Sequence, residues 1–213
     1  MKLAYKCRAY PDPEQAAILA RTFGCVRLVW NRTLAARHTA YHTDGRSTSY
    51  RDTDAALTEW KRSDELGFLN EVSSVPLQQT LRHQHTAFSN FFAGRARYPR
   101  FKNRNSRQSA HYTRSAFRMK NGELHLAKNT TPLGLVWSFE DVDLAKLNPT
   151  MVVVSRESDG RYFVTFAVDT SDPDPLDEAG HCVGVDLGVR DFAVTSDGDR
   201  IANPHHLERK ARN

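Results

Sequence analysis

RARYPRFKNRNSRQSAHYTRSAFRMK, residues 95–120, is where the chain changes character. The stretch holds nine basic residues, seven Arg and two Lys, and no acidic one. Cations at that density repel one another unless a partner supplies anions. Phosphates are the natural source, because each contact releases condensed counterions. Arginine dominates, and a guanidinium can fork onto phosphate oxygens, stack on bases or dock against rings. Tyr98, Phe101, Tyr112 and Phe117 lie among the cations. Rings interleaved in this way suit single-stranded or structured RNA, whose bases stack on them. A solvated basic loop with no specific ligand is the alternative that charge alone leaves open.

The segment also marks an electrostatic division. Residues 1–122 carry 21 Lys and Arg against 9 Asp and Glu, whereas residues 123–213 carry 9 against 16. The overall formal charge of +5 conceals this split, which points to a polyanion meeting the first part. The 213 residues suffice for one large domain or two smaller ones, with a real core. Hydrophobic residues make up 39% and charged ones 26%, an ordinary soluble composition. No apolar run approaches the ~20 residues of a membrane span, and MKLAYKCRAYPDPEQ has no secretory core. The expected location is cytoplasmic, with no membrane partner. Cys7, Cys25 and Cys182 are odd in number and form no CxxC pair, which argues against a disulfide framework and a cysteine zinc site.

Upstream of the basic segment the pattern is helical. Lys2 to Tyr10 reads as a short strand ended by Pro11. Asp12, Pro13 and Gln15 form a capping-box start. Leu19, Phe23, Val26, Trp30, Leu34 and Tyr41 follow as one apolar stripe of a long helix. Gly24 interrupts it, which predicts close packing there. His42 to Tyr50 reads as a loop, and Thr53 to Lys61 as a second helix with Ala56, Leu57 and Trp60 inward. Ser73 and Ser74 offer N-caps for a third, whose buried face is Leu77, Leu81, Phe88, Phe91 and Phe92, with Gly94 at its end.

Downstream the pattern turns to strands: Leu124–Leu126, Leu135–Phe139, Met151–Ser155 and Tyr162–Val168. The last two flank Asp159-Gly160, a hairpin signal. DTSDPDPLDE, residues 169–178, reads as a linker. Beyond it HCVGVDLGVRDFAVT, residues 181–195, reads as two short strands and a tight turn, and Asp197-Gly198 turns the chain again before Ile201. Val183, Val185 and Leu187 would pack on a core, leaving Asp186 on the opposite face between Gly184 and Gly188. Such a carboxylate suits Mg²⁺, which prefers oxygen ligands. A surface or turn aspartate is the other reading. Asp191 is expected to cap or face solvent, and His205 and His206 to lie on the surface. Asn203–Asn213 reads as the first turns of a helix without a cap, which suggests a truncated chain.

Four segments in order resemble the TnpB (OrfB) family of transposon-encoded proteins, relatives of the type V CRISPR effectors. They are YKCRAYPDPEQAAILARTFGCVRLVWNRTL (5–34), SYRDTDAALTEWKR with LNEVSSVPLQQTLRHQHTAFSNFF (49–62 and 69–92), RYPRFKNRNSRQSAHYT (97–113) and GVDLGVRDFAVTSDG (184–198). The resemblance implies an α+β fold in three parts. A β-barrel wedge domain would comprise residues 1–10 and 95–175. A helical recognition lobe, the region often labelled helix-turn-helix, would comprise 11–94. A RuvC-like nuclease domain of RNase H fold would begin within 181–213. It also implies an RNA-guided, Mg²⁺-dependent DNA endonuclease associated with transposition, with a guide RNA from the transposon end and target DNA as partners.

Carried over by position, Asp186 matches the first catalytic aspartate and Mg²⁺ ligand. Tyr50, Gln78 and Gln79 lie in segments resembling those that touch the motif beside the target, and Arg82 is a further candidate for nucleic-acid binding. Arg97, Arg100, Lys102, Arg104 and Arg107 would contact guide RNA or the heteroduplex, although some could only pack the wedge. The family's other two catalytic carboxylates and its zinc element have no counterpart in these 213 residues, so binding without cleavage is expected. A non-cleaving, repressor-like or relic RNA/DNA-binding module is the alternative. GVDLG also resembles the phosphate loop of actin-like ATPases, but those place it near the N-terminus and follow it with Thr or Ser, where this chain has Val189-Arg190.

Overall fold

Lys2–Tyr10 forms β1, whose buried Cys7 and Ala9 alternate with more exposed neighbours. The structure, a computed structural model, describes residues 2–170 and 182–205. Two units divide it, one ending at Ser171 and one beginning at Asp172. The chain is a mixed helix-and-sheet protein.

Asp12 starts α1 (Pro13–Asp44) with the expected capping box: Gln15 N donates to Asp12 Oδ1 at 2.8 Å, and Asp12 N donates to Gln15 Oε1 at 3.1 Å. The same Gln15 donates through Nε2 to Thr131 Oγ1 and Pro132 O, tying the helix start to a distant loop. The helix runs past the expected loop at His42 and ends on Gly45 in the left-handed region. Gly24 corrects one expectation. A Cβ there would meet nothing within 4 Å, so no close neighbour demands the glycine.

Helix α2 (Tyr50–Arg62) starts earlier than its apolar residues suggest, because Ser49 and Asp52 form a second capping box. Helix α3 (Ser74–Phe92) buries Leu77, Leu81, Gln84 and Phe88. Gly94 N donates to Phe91 O and Arg95 N to Asn90 O, the two bonds of a Schellman ending. Phe92, expected on the buried face of this helix, is instead 70% exposed. Gln84 Nε2 donates to Trp30 O at 2.8 Å, a buried polar link between α3 and α1.

The basic segment contains two strands its charge concealed: β2 (Gln108–Thr113) and β3 (Phe117–Lys120). Tyr112 and Phe117 are therefore core residues, not base-stacking platforms. Burial pushes the Tyr112 hydroxyl up to about 12. β3 pairs with β4 (Glu123–Leu126) through Asn121-Gly122, both at positive φ. With β5 (Gly134–Val136), β6 (Met151–Arg156) and β7 (Tyr162–Asp169), the main sheet has the order β2-β6-β7-β1-β5, antiparallel throughout. Gly160 makes the expected β6–β7 turn at φ +87°. The hydrogen-bonded sheet is open, and the β3–β4 hairpin joins the β5 side at the bridge Leu124–Leu133. Val152, Val154, Val164 and Phe166 join Leu19, Phe23 and Val26 of α1 in one core. Full burial of each such side chain contributes about 1.5–3 kcal/mol.

The second unit is a three-stranded antiparallel sheet, β10-β9-β8, of Arg200–Ala202, Asp191–Thr195 and Val185–Leu187. Gly188 permits its tight turn, since a Cβ would lie 3.1 Å from Asp191 O. The expectation that Val183, Val185 and Leu187 pack inward fails: they are 44%, 61% and 70% exposed. Residues 203–205 are not helical. The expected linker beyond residue 170, His181, His206 and the rest of the expected terminal helix lie outside the described residues.

Candidate nucleic-acid interface

Pro99 is buried within the basic segment, and the backbone after it is held by side chains rather than by regular structure. Trp30 Nε1 donates to Arg100 O at 2.9 Å. Its neighbour Asn31 clamps Lys102 twice, donating from Nδ2 to Lys102 O (2.9 Å) and accepting from Lys102 N (2.8 Å). Gln108 Nε2 donates to the carbonyls of Asn103, Arg104 and Ser106, while Arg27 Nη1 donates to Gln108 Oε1 at 3.2 Å. Asn103 Oδ1 accepts from the amides of Asn105 and Ser106. A segment with no helix or strand hydrogen bonds is thus pinned at both ends.

Arg97, Arg100 and Arg104 are exposed on this frame, and none has an ion pair among the described residues. Arg107 differs, with Nε 3.2 Å from Glu157 Oε1, which Lys6 also approaches at 3.4 Å.

Lys102 begins a cluster of titratable nitrogen groups, joined by a histidine from α3 and one from β2. Its Nζ sits 4.4 Å from the Trp30 ring centroid. His83 of α3 and His111 of β2 meet edge to face at 4.3 Å. Burial, followed by the nearby His83, Lys102 and Arg107, pushes His111 down to about 4. Burial and then Lys102 lower His83. Lys102 as a residue is exposed, yet burial of its ammonium over Trp30 holds it below the usual lysine value. A phosphate seated here would oppose that destabilisation of the protonated forms.

On the outer side of α3, the Arg82 guanidinium lies 5.7 Å from the Tyr50 ring centroid, and His85 meets Tyr50 at 6.3 Å. Gln78, exposed, is one helical turn before Arg82. Gln79 is partly buried and one turn before His83, so it shares the side leading toward Lys102. The structure therefore gathers Tyr50, Gln78 and Arg82 on one surface and separates Gln79 from it.

Asp186 sits exposed on β8 opposite Val194. Asp191 is engaged by Arg200, whose Nη1 donates to Oδ2 at 3.1 Å. Among the described residues, no three His, Cys, Asp or Glu side chains come together as a metal site. A two-metal centre needs several carboxylates, so Asp186 with these neighbours does not make one. Cys7 and Cys25 are buried and Cys182 exposed, all as free thiols.

Sequence reasoning missed Arg27, Asn31, His83, Gln108 and His111. Only His83 carried a sequence hint, being one turn from Gln79 on a helix already expected to face a ligand.

These features define a basic mixed helix-and-sheet protein with cations laid out for a polyanion. A family model described as "Helix-turn-helix domain" matches residues 1–46, which here form β1 and α1. A Streptomyces pristinaespiralis protein named "Putative RNA-guided DNA endonuclease" is 52% identical over 98% of this chain and 52% of its own length. An Escherichia coli (strain K12) protein of the same name, InsQ, is 28% identical over 92% of this chain and 47% of its own length. A cryo-EM structure of a CRISPR-Cas12f ternary complex covers 93% of this chain and 50% of that one, with a TM-score of 0.43 and 12% identity. The chain is thus similar to proteins of the TnpB/OrfB family. It spans about half the length of both curated relatives described here.

Proposed function

We propose that the chain is the nucleic-acid-binding portion of an RNA-guided DNA endonuclease of the transposon-associated type. The observation that carries this reading is the pinned segment of residues 97–108. Its backbone is fixed by Trp30, Asn31 and Gln108, while Arg97, Arg100 and Arg104 project without anionic partners among the described residues. Ordering a backbone costs entropy, and ordering it beneath unpaired guanidinium groups makes sense where phosphates complete the pairing.

In this proposal Arg97, Arg100, Lys102, Arg104 and Arg107 hold guide RNA or the heteroduplex backbone, with Arg107 leaving Glu157 to do so. Tyr50, Gln78 and Arg82 meet the target-adjacent DNA, and Gln79 assists from the inner side. The main sheet with the β3–β4 hairpin serves as the wedge, and α1 to α3 as the recognition lobe. β8 to β10 begin the RuvC-like domain, to which Asp186 contributes one Mg²⁺-binding carboxylate. Taken alone, the 213 residues bind without cutting, because one carboxylate cannot hold two metal ions.

The test is fluorescence anisotropy with labelled single-stranded and structured RNA across a salt series. The wild type should bind with a steep salt dependence. The triple variant Arg97→Ala, Arg100→Ala, Arg104→Ala should shallow the slope by about 2, at ~0.7 per lost single-strand contact. An unchanged slope, or no binding at low ionic strength, refutes the reading. A parallel cleavage assay with Mg²⁺ should be blank, and cutting abolished by Asp186→Ala would overturn the incomplete-centre view.

A further inference from the structure

A cavity of about 530 Å³ opens between the C-terminal ends of α1 and α3 and is closed on one side by Tyr98. That volume is within the roughly 300–1,000 Å³ usual for small-ligand pockets. Its walls are mainly rings: Tyr41, Phe88, Phe91, Phe92 and Tyr98. Phe88 and Phe91 each meet Tyr98 edge to face, at 5.4 and 5.3 Å. His38 and His42 meet at 4.1 Å, their rings tilted by 42°, and extend the wall. Tyr41, Phe92 and Tyr98 are exposed, so the aromatic surface surrounds an opening rather than filling a core.

The buried member of the lining is Arg37, only 8% exposed. Its Nη1 donates to Thr48 O at 2.6 Å, and its guanidinium carbon lies 5.1 Å from the Phe88 centroid. Nε and Nη2, the two nitrogens of one planar donor edge, are covered and have no acceptor. Buried donors without partners are rare, because their desolvation goes uncompensated. The forked edge of an arginine matches two adjacent acceptors on one planar group.

We infer that this cavity receives one unpaired guanine, stacked among the rings, with O6 and N7 accepting from the Nε–Nη2 edge of Arg37. The inference rests on the nucleic-acid reading above and adds a base-specific site to it. A free phosphate would leave the aromatic walls unused, and a purely apolar ligand would leave the guanidinium unpaired. Tyr98 belongs both to the cavity and to the basic segment, so exposed Arg95, Arg97 and Arg100 stand ready for the flanking phosphates. Nε and Nη2 are covered in this structure, so seating the base requires the side chains over them to shift.

The 213-residue chain is titrated against a labelled all-uridine RNA strand and against the same strand with one central guanosine, inosine, 7-deazaguanosine or adenosine. Guanosine and inosine, which keep both acceptors, should bind about tenfold tighter than uridine alone. The 7-deazaguanosine and adenosine strands should not. Arg37→Gln and Phe92→Ala should erase the preference while the all-uridine affinity stays. Circular dichroism checks that Arg37→Gln folds, and if it does not, Phe92→Ala at its exposed site decides alone. Equal binding of every strand by the wild type, or a preference that survives Phe92→Ala, overturns the pocket and leaves the nucleic-acid reading standing. No binding to any strand overturns both.

Discussion

Acidification tests the packing around His111. Its pKa is pushed down to about 4 in the folded chain by burial and then by His83, Lys102 and Arg107, against ~6.5 for an unperturbed histidine. Below the unfolded value the denatured chain takes up a proton that the folded one refuses. Stability is therefore intact above about pH 6.5, falls as the pH drops toward about 4, and levels off below that. Between pH 7.5 and 4.5 the loss assigned to this one ring is ~2.5 kcal/mol. The lowered pKa of His83 adds to it with the same sign. Urea unfolding followed by tryptophan fluorescence, for wild type and His111→Gln, measures the effect. Carboxylates common to both proteins cancel in the difference. The wild type should lose about 2.5 kcal/mol more than the variant across the window. A difference curve that stays flat would refute the account of His111 as a neutral ring held among cations.

Gly24→Ala should stabilise the chain by about 1 kcal/mol in the same urea assay, because α1 gains a better helix former and the new Cβ meets nothing. Asp12→Ala removes the capping box of α1 and should cost about 1 kcal/mol, read as a lower urea midpoint. Asn31→Ala frees the Lys102 backbone, and RNA affinity should fall severalfold although residue 31 itself need not touch RNA. Asp186→Ala should leave RNA affinity and its salt slope unchanged, since the carboxylate lies on the exposed β8 and outside the basic segment.

The elements written in local chemistry were legible. Asp12, Pro13 and Gln15 announce α1, and Asp159-Gly160 announces the β6–β7 hairpin, because caps and turns are decided by a few adjacent residues. The basic segment was harder. Its charges dominate the reading, yet Ala110 and Tyr112 alternate inward while Ser109, His111 and Thr113 do not, and that pattern is β2. Asn121-Gly122 is a strong hairpin signal that stood just after the same run of cations. The start of α2 was missed because Ser49 and Asp52 cap it from outside its apolar pattern. At the interface, the exposed arginines could be named from composition. The residues that aim them could not: Asn31 and Lys102 are 71 positions apart, and no periodicity links them. Arg37 left a trace, since it falls where the stripe of Trp30, Leu34 and Tyr41 calls for an apolar side chain.

β1 lies between β7 and β5, so the first strand of this unit pairs with one far along it: Lys2 with Asp169, and Ala9 with Tyr162. Helices α1 to α3 can form on the nascent chain from local contacts, whereas closing so long a loop must wait for nearly the whole unit. Translation that halts before Tyr162 therefore leaves β1 able to pair with β5 at Arg8 to Tyr10, while its edge toward β7, Lys2 to Ala9, stays open for chaperones or proteases to find.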